Sequence, residues 1–152
     1  MGQTSVDVAT DILINVPRDR VAAYAADPDN APAWYVNIKS ARSTSPPPLT
    51  IGSQIEFVAH FLGRRLRYTY EVTEFVPGTR FVMRTANGPF EMETIYTWES
   101  IAPDRTRMTL RNRGTPTGFS RLLAPFVSWA IRRANEKDLK RIKAILERQA
   151  SA

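Results

Sequence analysis

Alternation between apolar and polar side chains runs from residue 54 to residue 113, and short turns interrupt it. Glycine or proline occupies each of these turns: Gly63, Pro77-Gly78, Asn87-Gly88-Pro89 and Ala102-Pro103-Asp104. Side chains along a strand point alternately to the two faces of a sheet, and turns this short join antiparallel neighbours. The pattern therefore predicts an antiparallel meander with one apolar face.

Further strand and helix patterns precede the meander. The β-branched segment SVDVATDILINV predicts an opening strand, and Pro17 then stands at the first turn of a helix that ends at Asp27-Pro28. A second short helix, capped by Asp29 or Asn30, is predicted through Trp34. The segment NIKSARS predicts a weak strand before the meander.

One long helix is predicted after the meander, from about Phe119 to Arg148, because apolar residues recur there at intervals of three and four. Pro125 is expected to kink or delay it near its start. The element order is β-α-α-β6-α, with about seven strands. It predicts one α+β domain over residues 1–152, in which a curved antiparallel sheet wraps around the C-terminal helix.

The predicted inner face of the sheet carries polar atoms that a plain core would lack. Aromatic walls with a few hydroxyls are typical of a ligand pocket, whereas in a filled core each tyrosine would reach water or a carbonyl at the rim. The set as a whole favours the pocket, whose predicted wall residues on the strands are Phe57, Tyr68, Tyr70, Met83, Thr94, Tyr96, Trp98 and Asn112.

Three further aromatic residues are candidates for the same pocket. Phe126 and Trp129 are predicted to form its helix side, with ordinary core packing as the alternative. Trp34, with Tyr35 beside it, is predicted either to gate the cavity mouth or, through the tryptophan, to seal the edge of the sheet.

Charge and residue usage narrow the functional classes. The net charge is +6, but the strand arginines fall opposite the apolar series, where acidic neighbours predict cross-strand pairs on a solvated face. No motif for nucleic-acid binding accompanies them.

The chain has no cysteine, and its one histidine, His60, falls on the outward series. No metal site and no cofactor are therefore expected. No apolar run is long enough to span a bilayer, and a cytoplasmic location is the expectation.

Several segments together resemble the START-like (SRPBCC) superfamily, and more narrowly its polyketide cyclase/dehydrase-type branch. They are DILINVPRDRVAAYAADPDNAPAWYVNI, LTIGSQIEF, FVPGTRFVMRT, FEMETIYTWES and ANEKDLKRIKAILERQ. The resemblance spans about Asp11 to Gln149. It implies the helix-grip fold and a hydrophobic ligand held between sheet and helix.

Three functions stay open on this basis. The first is a carrier or receptor that binds a hydrophobic or aromatic small molecule. The second is an aromatase/cyclase-type enzyme, with Thr94 and Tyr96 as candidate proton donors, although no arginine or histidine lies on the predicted inward series to assist enolisation. The third is a lipid carrier in transient contact with a membrane surface. Monomer and homodimer are both compatible with the sequence.

Overall fold

The structure is a computed structural model that describes residues 6–87, 90–116 and 124–151. The seven strands are β1 Val6–Ile14, β2 Ile38–Ser43, β3 Gln54–Phe61, β4 Arg64–Val76, β5 Arg80–Asn87, β6 Phe90–Ala102 and β7 Arg105–Pro116. The helices are α1 Arg18–Ala26, α2 Ala31–Trp34 and α3 Ala124–Ser151, with a 3₁₀ turn at Pro28–Asn30.

The strands form one antiparallel sheet in the order β1-β7-β6-β5-β4-β3-β2. The meander occupies five neighbouring positions, and β1 and β2 close its two ends. Register shifts interrupt the pairing of β2 with β3, of β4 with β5 and of β6 with β7, including one between Val72 and Glu74 and one between Ser100 and Ala102. Because an extra residue bends the strand that contains it, these irregularities help to curl the sheet. The predicted helix-grip fold is confirmed.

The core lies where α3 crosses the concave face of the sheet. Leu139, Ile142 and Leu146 of α3 are buried against strand residues such as Leu110 and Phe81. Burial of this apolar stripe, more than helix propensity, holds α3 in place. The predicted helix start at residues 119–123 lies outside the described residues, and Pro125 occupies the first turn of α3.

Asn30, one of the two predicted cap residues, occupies the N-cap position of α2, but its side chain makes no capping hydrogen bond. The Asp27 side chain accepts a hydrogen bond from the Asp29 backbone N–H at 3.0 Å, at the start of the 3₁₀ turn. Asn30 instead donates through its amide to the Tyr24 carbonyl at 3.2 Å. Pro28 disfavours helical backbone at the residue before it, so α1 ends at Ala26. Asp27 is then in the extended conformation and is placed to cap the 3₁₀ turn.

The convex face carries the predicted cross-strand charge pairs. Arg113 Nε lies 2.7 Å from Glu93, and Arg107 lies 3.2 Å from Glu99. Arg111 pairs with Asp7 of β1 at 2.6 Å, and that guanidinium lowers the pKa of the Asp7 carboxyl. These partly exposed pairs contribute little stability each, but they neutralise much of the arginine-rich face.

Candidate functional site

A cavity of about 150 Å³ lies between the sheet and the N-terminal half of α3. Seven of the predicted strand residues line it: Phe57, Tyr68, Tyr70, Met83, Thr94, Tyr96 and Asn112. Their contact with a ligand remains a prediction.

Strand register explains why these side chains meet. Phe57 on β3 is paired with Tyr68 on β4, and Thr94 on β6 is paired with Asn112 on β7. Directly paired residues share a face of the sheet, so a correct assignment of one strand's inner series extends to its neighbours. The Phe57 and Tyr68 rings stack with centroids 5.5 Å apart, and Tyr70 lies 5.1 Å from Tyr68.

A hydrogen-bond network holds one wall of the cavity. Thr94 Oγ1 donates to Asn112 Oδ1 at 2.8 Å and lies 3.1 Å from the Tyr70 hydroxyl oxygen. Burial raises the pKa of Tyr70, while the hydrogen bond with Thr94 acts in the opposite direction. The network therefore keeps a protonated hydroxyl in a fixed position at the cavity wall.

A second polar pair also lines the cavity. The hydroxyls of Tyr35, just after α2, and Tyr96 on β6 are hydrogen-bonded to each other. Burial raises the pKa of both phenols, so both stay protonated at neutral pH. The sequence places Tyr35 beside Trp34 at the predicted cavity mouth, and Tyr35 is not among the predicted wall residues. It lies after a four-residue helix, where no sequence periodicity indicates which way a side chain points.

Two polar residues of α3 complete the cavity, and the sequence reasoning missed both. Asn135 and Asp138 are only 4% and 2% exposed, and both line the cavity. The Val36 N–H donates to Asp138 Oδ1 at 2.8 Å, and Asn135 Nδ2 has no hydrogen-bond partner among the described residues. Burial raises the pKa of Asp138 to about 7, although the Val36 N–H and the Arg141 charge act to lower it.

A signal for this pair is present in the sequence. Ile131, Asn135, Asp138 and Ile142 are spaced by four, three and four residues, so the two polar residues stand within the apolar stripe of α3. A polar residue inside such a stripe is either exposed at the edge of the stripe or buried, and a buried polar group needs a hydrogen-bond partner. The structure shows that both are buried.

The prediction that Phe126 and Trp129 form the helix side of the cavity is wrong. They are 51% and 54% exposed, and they stack on each other with centroids 5.9 Å apart. Phe126 precedes the buried Val127 and Trp129 precedes the buried Ala130, so each ring is turned about 100° around the helix from its buried neighbour. The cavity wall of α3 is formed by Val127, Ile131, Ala134, Asn135 and Asp138 instead.

The two remaining tryptophans lie in the core, behind the cavity wall. Trp34 is fully buried, with its ring centroid 4.1 Å from that of Tyr35 and 5.8 Å from that of Tyr96. It is a packing residue in this structure and does not line the cavity. Trp98 packs behind Tyr96 and borders a separate surface depression beside α1. Neither indole N–H has a hydrogen-bond partner within the described part of the chain.

Other site chemistry is limited in the described residues. His60 is exposed on the outer face, as its strand parity predicts. No group of three histidine, aspartate or glutamate residues within residues 6–87, 90–116 and 124–151 is placed to hold a metal ion. None of the helices in these ranges has the length and apolar character to cross a membrane.

A curved antiparallel sheet wrapped around a C-terminal helix, with a cavity between them, defines a helix-grip protein. The family model described as polyketide cyclase / dehydrase and lipid transport matches residues 5–147, and the chain belongs to this family. No curated protein matches the chain at a significant level.

Solved structures share the whole fold. The aromatase/cyclase Zhui from Streptomyces sp. R1128 has a TM-score of 0.81 at 14% identity, covering 95% of this chain and 94% of that one. A START superfamily protein from Mycobacterium smegmatis has a TM-score of 0.81 at 14% identity, covering 94% and 98%. A protein from Thermus thermophilus has a TM-score of 0.82 at 20% identity, covering 96% and 99%. At identities this low the likeness shows the fold alone, and the expected polyketide cyclase/dehydrase branch is confirmed by the family model.

Proposed function

We propose that the protein binds a small aromatic or otherwise hydrophobic molecule in the cavity between the sheet and α3. The observation that carries this proposal is the cavity itself, together with the buried polar groups around it. A concave site lined by aromatic rings and a few polar groups is the usual form of a small-molecule site. A core filled with leucine and valine would not bury the carboxyl of Asp138.

The size of the cavity bears on the ligand. Pockets for drug-sized ligands occupy roughly 300–1,000 Å³, and this cavity is about 150 Å³. A long acyl lipid or an extended polyketide chain would therefore require the cavity to expand. Apolar burial, at roughly 25 cal/mol per Å² before ordering costs, would supply most of the affinity, and the hydroxyls would set the orientation.

Native mass spectrometry of the purified protein, followed by denaturing extraction, tests the proposal. A matched pair of variants on α3 locates the site: Ala134→Phe fills the cavity, whereas Ala144→Phe adds the same ring at an exposed position. We expect the bound molecule, or an apolar fluorescent dye, to be lost in the first variant and retained in the second. The proposal would be contradicted if the dye failed to bind both the wild type and the Ala144→Phe control.

A second candidate is an enzyme of the aromatase/cyclase type. It is favoured by the Asp138 carboxyl, whose pKa of about 7 suits transfer of a proton in either direction near neutral pH. The Zhui structure is of an aromatase/cyclase, and the family description includes cyclase and dehydrase activity. In an enzyme, Tyr96→Phe should lower turnover far more than affinity, whereas a carrier should lose only modest affinity.

A further inference from the structure

The cavity has one formally charged side chain among the described residues that line it. This is Asp138, and neither lysine, arginine nor histidine accompanies it there. Arg141 of α3 is near enough to lower the pKa of this carboxyl but does not line the cavity, so no cation inside the cavity offsets the desolvation of the carboxylate. A ligand that carries a positive charge would supply that cation.

The walls around this carboxyl also favour positive charge. Six aromatic rings line the cavity: Tyr35, Phe57, Phe61, Tyr68, Tyr70 and Tyr96. The face of an aromatic ring has a negative electrostatic potential and attracts ammonium groups. Tyr68 is the ring at the centre of this group, within 5.5 Å of Phe57 and 5.1 Å of Tyr70, centroid to centroid.

Part of the polar lining of the cavity makes no internal hydrogen bond. Asp138 Oδ1 accepts from the Val36 N–H, and no hydrogen bond to Oδ2 is present within the described residues. The neighbouring Asn135 Nδ2 is a donor without a partner there, and it does not pair with an ammonium group. An ammonium group has three donors and no acceptor, so its match in the cavity is the free carboxylate oxygen of Asp138.

The volume limits the rest of the ligand. An engineered cavity of about this size in another protein binds benzene. One aromatic ring with a short substituent therefore fits without rearrangement of the walls.

We propose that the ligand is an amine with a single aromatic ring, protonated on nitrogen, whose ammonium group pairs with Asp138 while the ring lies among the aromatic walls. This rests on the proposed binding function and names the ligand class for that cavity.

The proposal has a consequence for pH dependence. The groups that face Asp138 are the phenols of Tyr35, Tyr68 and Tyr96, whose pKa values burial raises, and the guanidinium of Arg141 on α3, which lowers the pKa of Asp138. Asp138 is thus the group that changes charge near neutral pH, since its pKa is about 7. The affinity for an amine should rise as pH increases to about 7 and stay level until the amine loses its own proton.

Isothermal titration with benzylamine and benzyl alcohol tests the ligand class, because the two have the same number of heavy atoms and differ in charge. At pH 8 we expect benzylamine to bind at least about tenfold more tightly, as a charge-assisted hydrogen bond would provide. In Asp138→Asn, which keeps an oxygen for the Val36 N–H, this preference should disappear. Trp129→Ala, exposed on the same helix, is the control and should keep it.

The outcomes separate the two proposals. Equal binding of the amine and the alcohol, or a preference that survives in Asp138→Asn, overturns the amine assignment; if the apolar dye still enters, the cavity-binding function stands. A preference for benzylamine that does not weaken between pH 8 and pH 5.5 also overturns it. If neither the probes nor the dye bind, both proposals fail.

Discussion

Replacement of Asp138 by asparagine should stabilise the ligand-free protein at alkaline pH and have little effect in acid. Burial raises the pKa of this carboxyl from 3.8 to about 7, so the folded state retains the proton over a range in which the unfolded chain has released it. The folded state therefore binds about one proton more than the unfolded state between these two values. Stability falls as pH rises through this interval.

The magnitude follows from the size of the shift. About three pKa units correspond to about 4 kcal/mol, at about 1.4 kcal/mol per unit. The contribution is fully favourable below pH 4 and is lost by about pH 7, so the wild type carries the whole cost at pH 8. For a chain of this length, a gain of about 4 kcal/mol raises the melting temperature by about 10 °C.

Urea denaturation of the wild type and of Asp138→Asn, at intervals from pH 4 to pH 8.5, measures this difference directly. The difference in unfolding free energy should grow steadily between pH 4 and pH 7 and then level off. Asp104→Asn is the matched control, since Asp104 is exposed in the turn between β6 and β7. Two curves that run parallel from pH 4 to pH 8 would refute the buried carboxyl as the source of the effect.

Three further changes have expected outcomes. Tyr96→Phe removes the hydroxyl bonded to Tyr35 and leaves a buried phenol without that partner, so urea denaturation should show a loss of about 1–3 kcal/mol. Trp129→Ala should change stability by no more than about 0.5 kcal/mol and leave dye binding intact, because its ring is exposed; a large loss of binding would return Trp129 to the site. Gly114→Ala should destabilise the protein by more than about 2 kcal/mol in the same assay, because a Cβ there would overlap the carbonyl oxygen of Glu91; a neutral effect would contradict the observed strand pairing.

The local pattern of side chains is enough to predict the sheet and its inner face. Alternation along β3, β4 and β6 assigned Phe57, Tyr68 and Thr94 to one side, and turn residues marked the ends of the strands. This prediction is possible because side chains along a strand alternate between its two faces. Once one residue is assigned to a face, the faces of all the others follow, up to the next bulge. The bulge between Val72 and Glu74 moves the inner series of β4 from Val72 to Phe75, and the predicted wall residues of β4 all precede it.

The residues on the helix side of the cavity could be identified only from the folded chain. A helix turns 100° per residue, so the edge of an apolar stripe can be misplaced by one position when it is predicted from sequence. Phe126 and Trp129 are exposed, whereas their neighbours Val127 and Ala130 are buried. Polar residues are ordinarily assigned to the outer face, which is why Asp138 was passed over. Its burial depends on a contact with Val36, 102 residues away in the chain, and local sequence carries no record of that contact.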